Sequence, residues 1–83
     1  MEQQLRTILD EVAGLSKPAA DLAPRDDLFA AGLTSFATVG VMLAIEDEFD
    51  VAFPDALLVR STFQSIASLS AVIAGLGAQS RAA

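Results

Sequence analysis

The 83-residue chain is predicted to be all-α, a bundle of three main helices and one short helix with a long loop after the first. Three observations predict this. Apolar residues recur at three- and four-residue steps in three separate segments, the spacing of a helix face. No stretch alternates apolar and polar residues as a half-buried strand does. Pro18, Pro24 and Pro54 all fall between the periodic segments, where a missing N–H breaks no helical ladder. A chain of this length holds one domain, and its 53% hydrophobic content is enough to build one core.

The first helix is expected over about residues 2 to 14. Leu5, Ile8, Leu9, Val12 and Leu15 form its apolar face, and Glu2, Arg6, Asp10 and Glu11 lie opposite. Gly14 and then Pro18 stop it. From Ser16 to Thr34 no helical period persists, yet Leu22, Leu28, Phe29 and Leu33 are enough apolar anchors to lay an ordered loop on a core. Asp26 or Asp27 is placed to cap one turn over Leu28 to Ala31, and Gly32 lets the backbone swing into the next helix.

That second helix begins at Thr34 or Ser35 and ends at Phe49. Its core stripe is expected to be Val39, Met42, Ile45 or Glu46, and Phe49. A neighbouring stripe of Phe36, Gly40, Leu43 and Asp47 is also apolar for most of its length. So small a domain has too few residues to enclose both, so the second stripe should stay partly exposed for a partner; the alternative is that Phe36 and Leu43 complete a tight core. Glu46, Asp47, Glu48 and Asp50 oppose the helix dipole, and read either as a solvated face or as a docking patch for Lys and Arg. They begin no calcium loop, since Asp47 to Asp55 lacks the Gly and Glu spacing that one needs. Pro54-Asp55 opens the short helix through Val59. Ser61 to Gln64 fits a capping box for the last helix, whose Ile66, Leu69, Ile73 and Leu76 face the core and whose end is expected near Gly75 to Gly77. Residues 1–77 thus form the domain and 78–83 a flexible tail.

Composition narrows function. The chain has no Cys and no His, which removes thiol chemistry, the usual general base and the commonest metal ligands. No catalytic or metal site is expected. Eleven acids against five bases leave a net charge of −6, which opposes nucleic acid and favours partners with basic patches. Met1-Glu2-Gln3-Gln4 has no signal-peptide character, and the run Phe36 to Ile45 is about half the ~20 residues that span a bilayer. A monomeric, cytoplasmic protein without membrane contact is expected. Ser35 lies at the first turn of the second helix, where unpaired N–H groups favour an anion such as a phosphate on its hydroxyl; plain capping is the ordinary alternative.

The run Asp27-Leu28-Phe29-Ala30-Ala31-Gly32-Leu33-Thr34-Ser35-Phe36, the helix end Ile45-Glu46-Asp47-Glu48-Phe49-Asp50 and then Phe53-Pro54-Asp55 resemble the acyl carrier protein family over nearly the whole chain. The resemblance implies that fold, and a 4'-phosphopantetheine arm placed on Ser35 by a phosphopantetheinyl transferase, with cargo held on the arm's thiol. The absence of Cys agrees, because the sulfur must then arrive on a prosthetic group. The family's usual Asp-Ser-Leu is replaced by Thr34-Ser35-Phe36, and acids common after the serine are replaced by Ala37 and Gly40. Contacts with partners should therefore lean on apolar residues, with Thr34, Phe36, Gly40, Leu43, Glu46, Asp47, Leu57 and Arg60 as the expected surface.

Within the family the chain is similar to small stand-alone aminoacyl carriers. This implies loading by an amino acid:carrier protein ligase and delivery to a downstream acceptor enzyme. The alternatives are a specialised acyl carrier with an acyl-loading enzyme, for polyketide, lipid or fatty acid synthesis, and, in another class, a noncovalent helical adaptor.

Overall fold

The computed structural model describes the backbone of residues 1–82 and the side chains of residues 1–77. Its helices are α1 (Glu2–Val12), α2 (Ser35–Phe49) and α3 (Ile66–Ala82), joined by short 3-10 turns at Ala19–Asp21, Asp55–Leu57 and Arg60–Phe63. No strand occurs among the described residues. The all-α bundle with a long first loop is therefore the observed fold, and the short helix opening at Pro54-Asp55 is the 3-10 turn Asp55–Leu57.

α1 packs against both α2 and α3 through Leu5, Ile8 and Leu9. Val12, expected on this face, is exposed, because α1 ends there: Ala13 donates to the Leu9 carbonyl and Gly14 takes φ 64°. Leu5, Leu9, Leu28, Val41, Ile45, Ile66 and Leu69 are fully buried in one core. Each adds about 1.5–3 kcal/mol by leaving water. The Arg6–Glu2 ion pair, one helical turn apart with an exposed carboxylate, adds only about 0.3–0.5 kcal/mol.

The first loop is ordered by hydrogen bonds as well as by its buried Leu22, Leu28 and Leu33. Arg6 donates to the carbonyls of Ala19 and Leu22, and Asp10 accepts from the Ala19 N–H at 2.7 Å. Further along, the Leu28 N–H donates to the Gln64 carbonyl and the Ala67 N–H to the Pro24 carbonyl, both at 2.8 Å, which ties the loop to the start of α3. Asp27 accepts from the Phe29 N–H and caps the turn before Gly32, while Asp26 closes the preceding turn onto Ala23. Gly32 has φ 114°, and a Cβ there would lie 3.3 Å from the Ser16 nitrogen, so only glycine suits this crossing.

In α2 the core stripe differs from expectation. Val41 and Ile45 are buried, with Ala37, Met42, Ala44 and Phe49 packed against the core, whereas Val39 is 54% exposed. A helix apolar nearly all round has no period that selects a face, so the packing of α1 selects it. α2 closes at Asp50 in the left-handed conformation, φ 53°.

The start of α3 also departs from the expected Ser61–Gln64 capping box. Ser65 and Ser68 cap it reciprocally: each backbone N–H donates to the other's hydroxyl at 3.0 Å. Ser61 is unavailable because Arg60–Phe63 turns to bury Thr62 and Phe63, and the Phe63 ring stacks on Phe53 with centroids 6.0 Å apart. Ile66, Leu69, Ile73 and Leu76 are buried as expected. The helix passes through Gly75 and Gly77 to Ala82 instead of ending at them. The side chains beyond residue 77 and all of Ala83 lie outside the described residues, and with them the expected flexible tail.

Candidate functional site

Thr34, in extended conformation, is the N-cap of α2, and its hydroxyl accepts from the Ala37 N–H at 3.0 Å. This makes Ser35 the first helical residue. Its carbonyl accepts from the Thr38 hydroxyl at 2.6 Å, but its own hydroxyl is exposed and has no hydrogen-bond partner among the described residues. Capping, the ordinary role of a serine at a helix start, is thus performed by its neighbour. The Ser35 and Phe36 N–H groups also lack a partner among the described residues, which leaves the positive end of the helix dipole open beside the hydroxyl.

Ser35 opens onto a cleft of about 370 Å³ between α2 and the connection that follows it. Phe29, Met42 and Phe63 are its less exposed walls, and Val39, Leu58, Val59 and Arg60 its exposed rim. Among the described residues Arg60 is the one charged residue lining it. Its guanidinium carbon lies 3.9 Å from the centre of the Phe29 ring, a cation–π contact of about 0.5–1 kcal/mol at an exposed site.

The residues expected to meet partners separate in space. Ser35 and Arg60 both line the cleft. Phe36, 91% exposed, and Leu43, 56% exposed, share an outer face of α2 with Gly40 and Asp47. Thr34 is engaged in capping. Leu57 is half-buried against the core and lines a different groove, with Pro54 and Val72. Glu46 turns inward: its carboxylate accepts from the Phe53 N–H at 2.8 Å, so this acid holds the chain after α2 in place. Asp47, Glu48 and Asp50 remain exposed. Sequence reasoning missed Val39 and Val59, which with Leu58 extend the apolar surface from Phe36 around the cleft; the unbroken run Leu57-Leu58-Val59 in a short connection was the available signal.

These residues fit a phosphopantetheine. The hydroxyl has no partner among the described residues, the adjoining cleft is lined mainly by apolar side chains, and Arg60 lines the same cleft. A family model described as "Phosphopantetheine attachment site" matches residues 3–73. The aminoacyl carrier protein of Agrobacterium fabrum is 46% identical over 69 residues, 83% of this chain and 83% of that protein. The chain belongs to the aminoacyl carrier protein family. A carrier protein from Agrobacterium tumefaciens, crystallised with engineered Bradyrhizobium japonicum glycine:[carrier protein] ligase and AMP, matches with a TM-score of 0.86 and 43% identity, over 89% of this chain and 99% of that one. A crystal structure of the Bradyrhizobium japonicum ligase complexed with glycylated carrier protein matches with a TM-score of 0.71 and 30% identity, over 84% and 93% of the two chains. Phosphopantetheine is accordingly the prosthetic group of this carrier family. Among the described residues no helix is long and apolar enough to cross a membrane, and no cluster of carboxylates is arranged to hold a metal ion.

Proposed function

We propose that the chain is an aminoacyl carrier whose phosphopantetheine is attached at Ser35, and that an amino acid:carrier protein ligase loads it. The observation that carries this is the free, exposed Ser35 hydroxyl at the mouth of the apolar cleft, in a chain 46% identical to an aminoacyl carrier protein. In the modification, the Ser35 oxygen bonds to the pantetheine-side phosphorus of coenzyme A and the pyrophosphate link breaks. The adenosine bisphosphate leaves, and the hydroxyl proton passes to a base of the phosphopantetheinyl transferase. The chain's own part is to present the hydroxyl, which explains why it needs no His. When bound, the group supplies the thiol on which an amino acid is held as a thioester.

The surface that meets the ligase is the exposed apolar face of Phe36, Val39 and Leu43 with Leu58 and Val59. Large, desolvated side chains of this kind dominate binding energy, while the exposed Asp47 and Glu48 contribute mainly to steering. The loaded chain then passes its cargo to an acceptor enzyme in the cytoplasm, where coenzyme A and ATP are available. A small cargo suits a cleft that is open to solvent above a filled core.

The test is direct. Incubation with a phosphopantetheinyl transferase and coenzyme A adds one phosphopantetheine, mapped to Ser35 by peptide mass spectrometry, and Ser35→Ala abolishes it. The modified protein given ATP, glycine or another small amino acid and a ligase of this type gains the aminoacyl mass. Loading by acyl groups only would reject the aminoacyl assignment, and an absence of mass gain with several transferases would reject the carrier reading.

A further inference from the structure

Among the described residues Arg60 is the basic side chain that both packs on an aromatic ring and lines the cleft of Ser35. Arg6 is occupied by Glu2 and by the carbonyls of Ala19 and Leu22. Lys17 lines a separate pocket in the first loop. Arg60 has no carboxylate or carbonyl partner among the described residues, yet it is held in place, with its guanidinium 3.9 Å from the centre of the Phe29 ring. Contact with a ring engages the face of a guanidinium and leaves its in-plane N–H edges free. Those edges present the planar fork that matches two oxygens of a phosphate. The same cleft is lined by Ser35 and, among the described residues, by no acidic side chain.

We infer that Arg60 pairs with the phosphodiester formed on Ser35 and so aligns the attached arm along the cleft. This inference rests on attachment at Ser35. The phosphodiester is the anion that the chain itself brings to this cleft, and it stays charged throughout the physiological pH range. The acids of α2 lie at its opposite end, from Glu46 onward, and do not compete for Arg60. Phe29 orients the guanidinium in advance, so the pairing costs less side-chain entropy than it would for a free arginine. Val39, Met42 and Leu58 then border the path of the pantetheine, whose geminal methyl groups are its apolar part. Arg60 is on this view a positioning residue, acting on where the arm rests.

The experiment uses the protein carrying its phosphopantetheine, labelled with ¹³C and ¹⁵N, in the wild type and in Arg60→Gln and Arg60→Lys variants. Modification at Ser35 is first verified by mass. In the wild type, loading shifts the Arg60 Nε–H resonance, and nuclear Overhauser contacts connect the arm's methyl groups to those of Val39, Met42 and Leu58. Arg60→Gln weakens those contacts roughly two- to fivefold, the range expected for one exposed charge pair, and moves the ³¹P resonance; Arg60→Lys restores part of the effect. Raising salt lowers the wild-type contacts toward the variant's level, because the pair is screened, and leaves the variant unchanged. A purely structural Arg60 would not produce that difference in salt response. An Arg60 Nε–H that does not respond to attachment of the arm, or arm contacts and a ³¹P shift indifferent to substitution of Arg60, would overturn the inference. A rise in the ligase KM for Arg60→Gln with those signals unchanged would assign Arg60 to the ligase instead. Failure to gain mass at Ser35 sinks the attachment itself, and this pairing with it.

Discussion

Glu46 is the residue on which sequence and structure pull apart most usefully, and its replacement has a calculable effect. In Glu46→Ala the Phe53 N–H loses its 2.8 Å acceptor, at a position where Phe53 is buried and stacks on Phe63. A hydrogen bond to a charged group contributes about 1.5–3 kcal/mol, and a buried donor left unpaired costs about 1–3 kcal/mol. Glu46 is only half-buried, so water replaces part of the loss, and about 1–2 kcal/mol is expected. For a domain of this size that lowers Tm by roughly 4–16 °C. Glu46→Gln keeps an acceptor oxygen and should lose about half as much or less. Urea unfolding followed by circular dichroism measures the difference, and hydrogen exchange at the Phe53 amide localises it. An alanine variant with unchanged midpoint and unchanged Phe53 protection would refute the reasoning; if that variant also bound the ligase weakly, Glu46 would return to the docking surface.

Substitutions at two neighbouring positions should divide stability from recognition. Thr34→Ala removes the cap of α2 and should cost about 1 kcal/mol in urea unfolding, whereas Thr34→Asp keeps the cap and should leave the midpoint within about 0.5 kcal/mol. Phe36→Ala, at a side chain 91% exposed, should leave the unfolding midpoint within about 0.5 kcal/mol of wild type and raise the ligase KM about tenfold or more. A folded variant loaded with unchanged KM would show that the outer face of α2 is not read by the ligase.

Some of this was legible from residue order alone. The bounds of α2, expected from Thr34 or Ser35 as cap types to Phe49, match the observed Ser35–Phe49. α1 and the inner face of α3 followed from period, since each carries one apolar stripe that only one packing direction satisfies. Ser35 was legible because a helix start, a preceding glycine turn and a characteristic surrounding run all coincide within a few residues. The missing Cys and His added that a serine serving as an attachment point here would rely on another protein's chemistry.

What local pattern could not settle was whatever depends on a second segment arriving from elsewhere. α2 is apolar on nearly every side, so the choice of Val41 over Val39 for the core waited on α1. Glu46 looked like a docking acid until the chain doubled back and offered the Phe53 N–H. The Ser61 box gave way to Ser65 and Ser68 because burying Phe63 against Phe53 consumed the turn before it. The cleft itself joins residues from the first loop, α2 and the connection after it. Sequence by itself determined the course of α1 and α2 and the place of Ser35 at a helix start, because these are set by neighbours within a turn or two. Only the tertiary structure decided which face stays open beside that serine and which cation stands there, because packing and charge act through space.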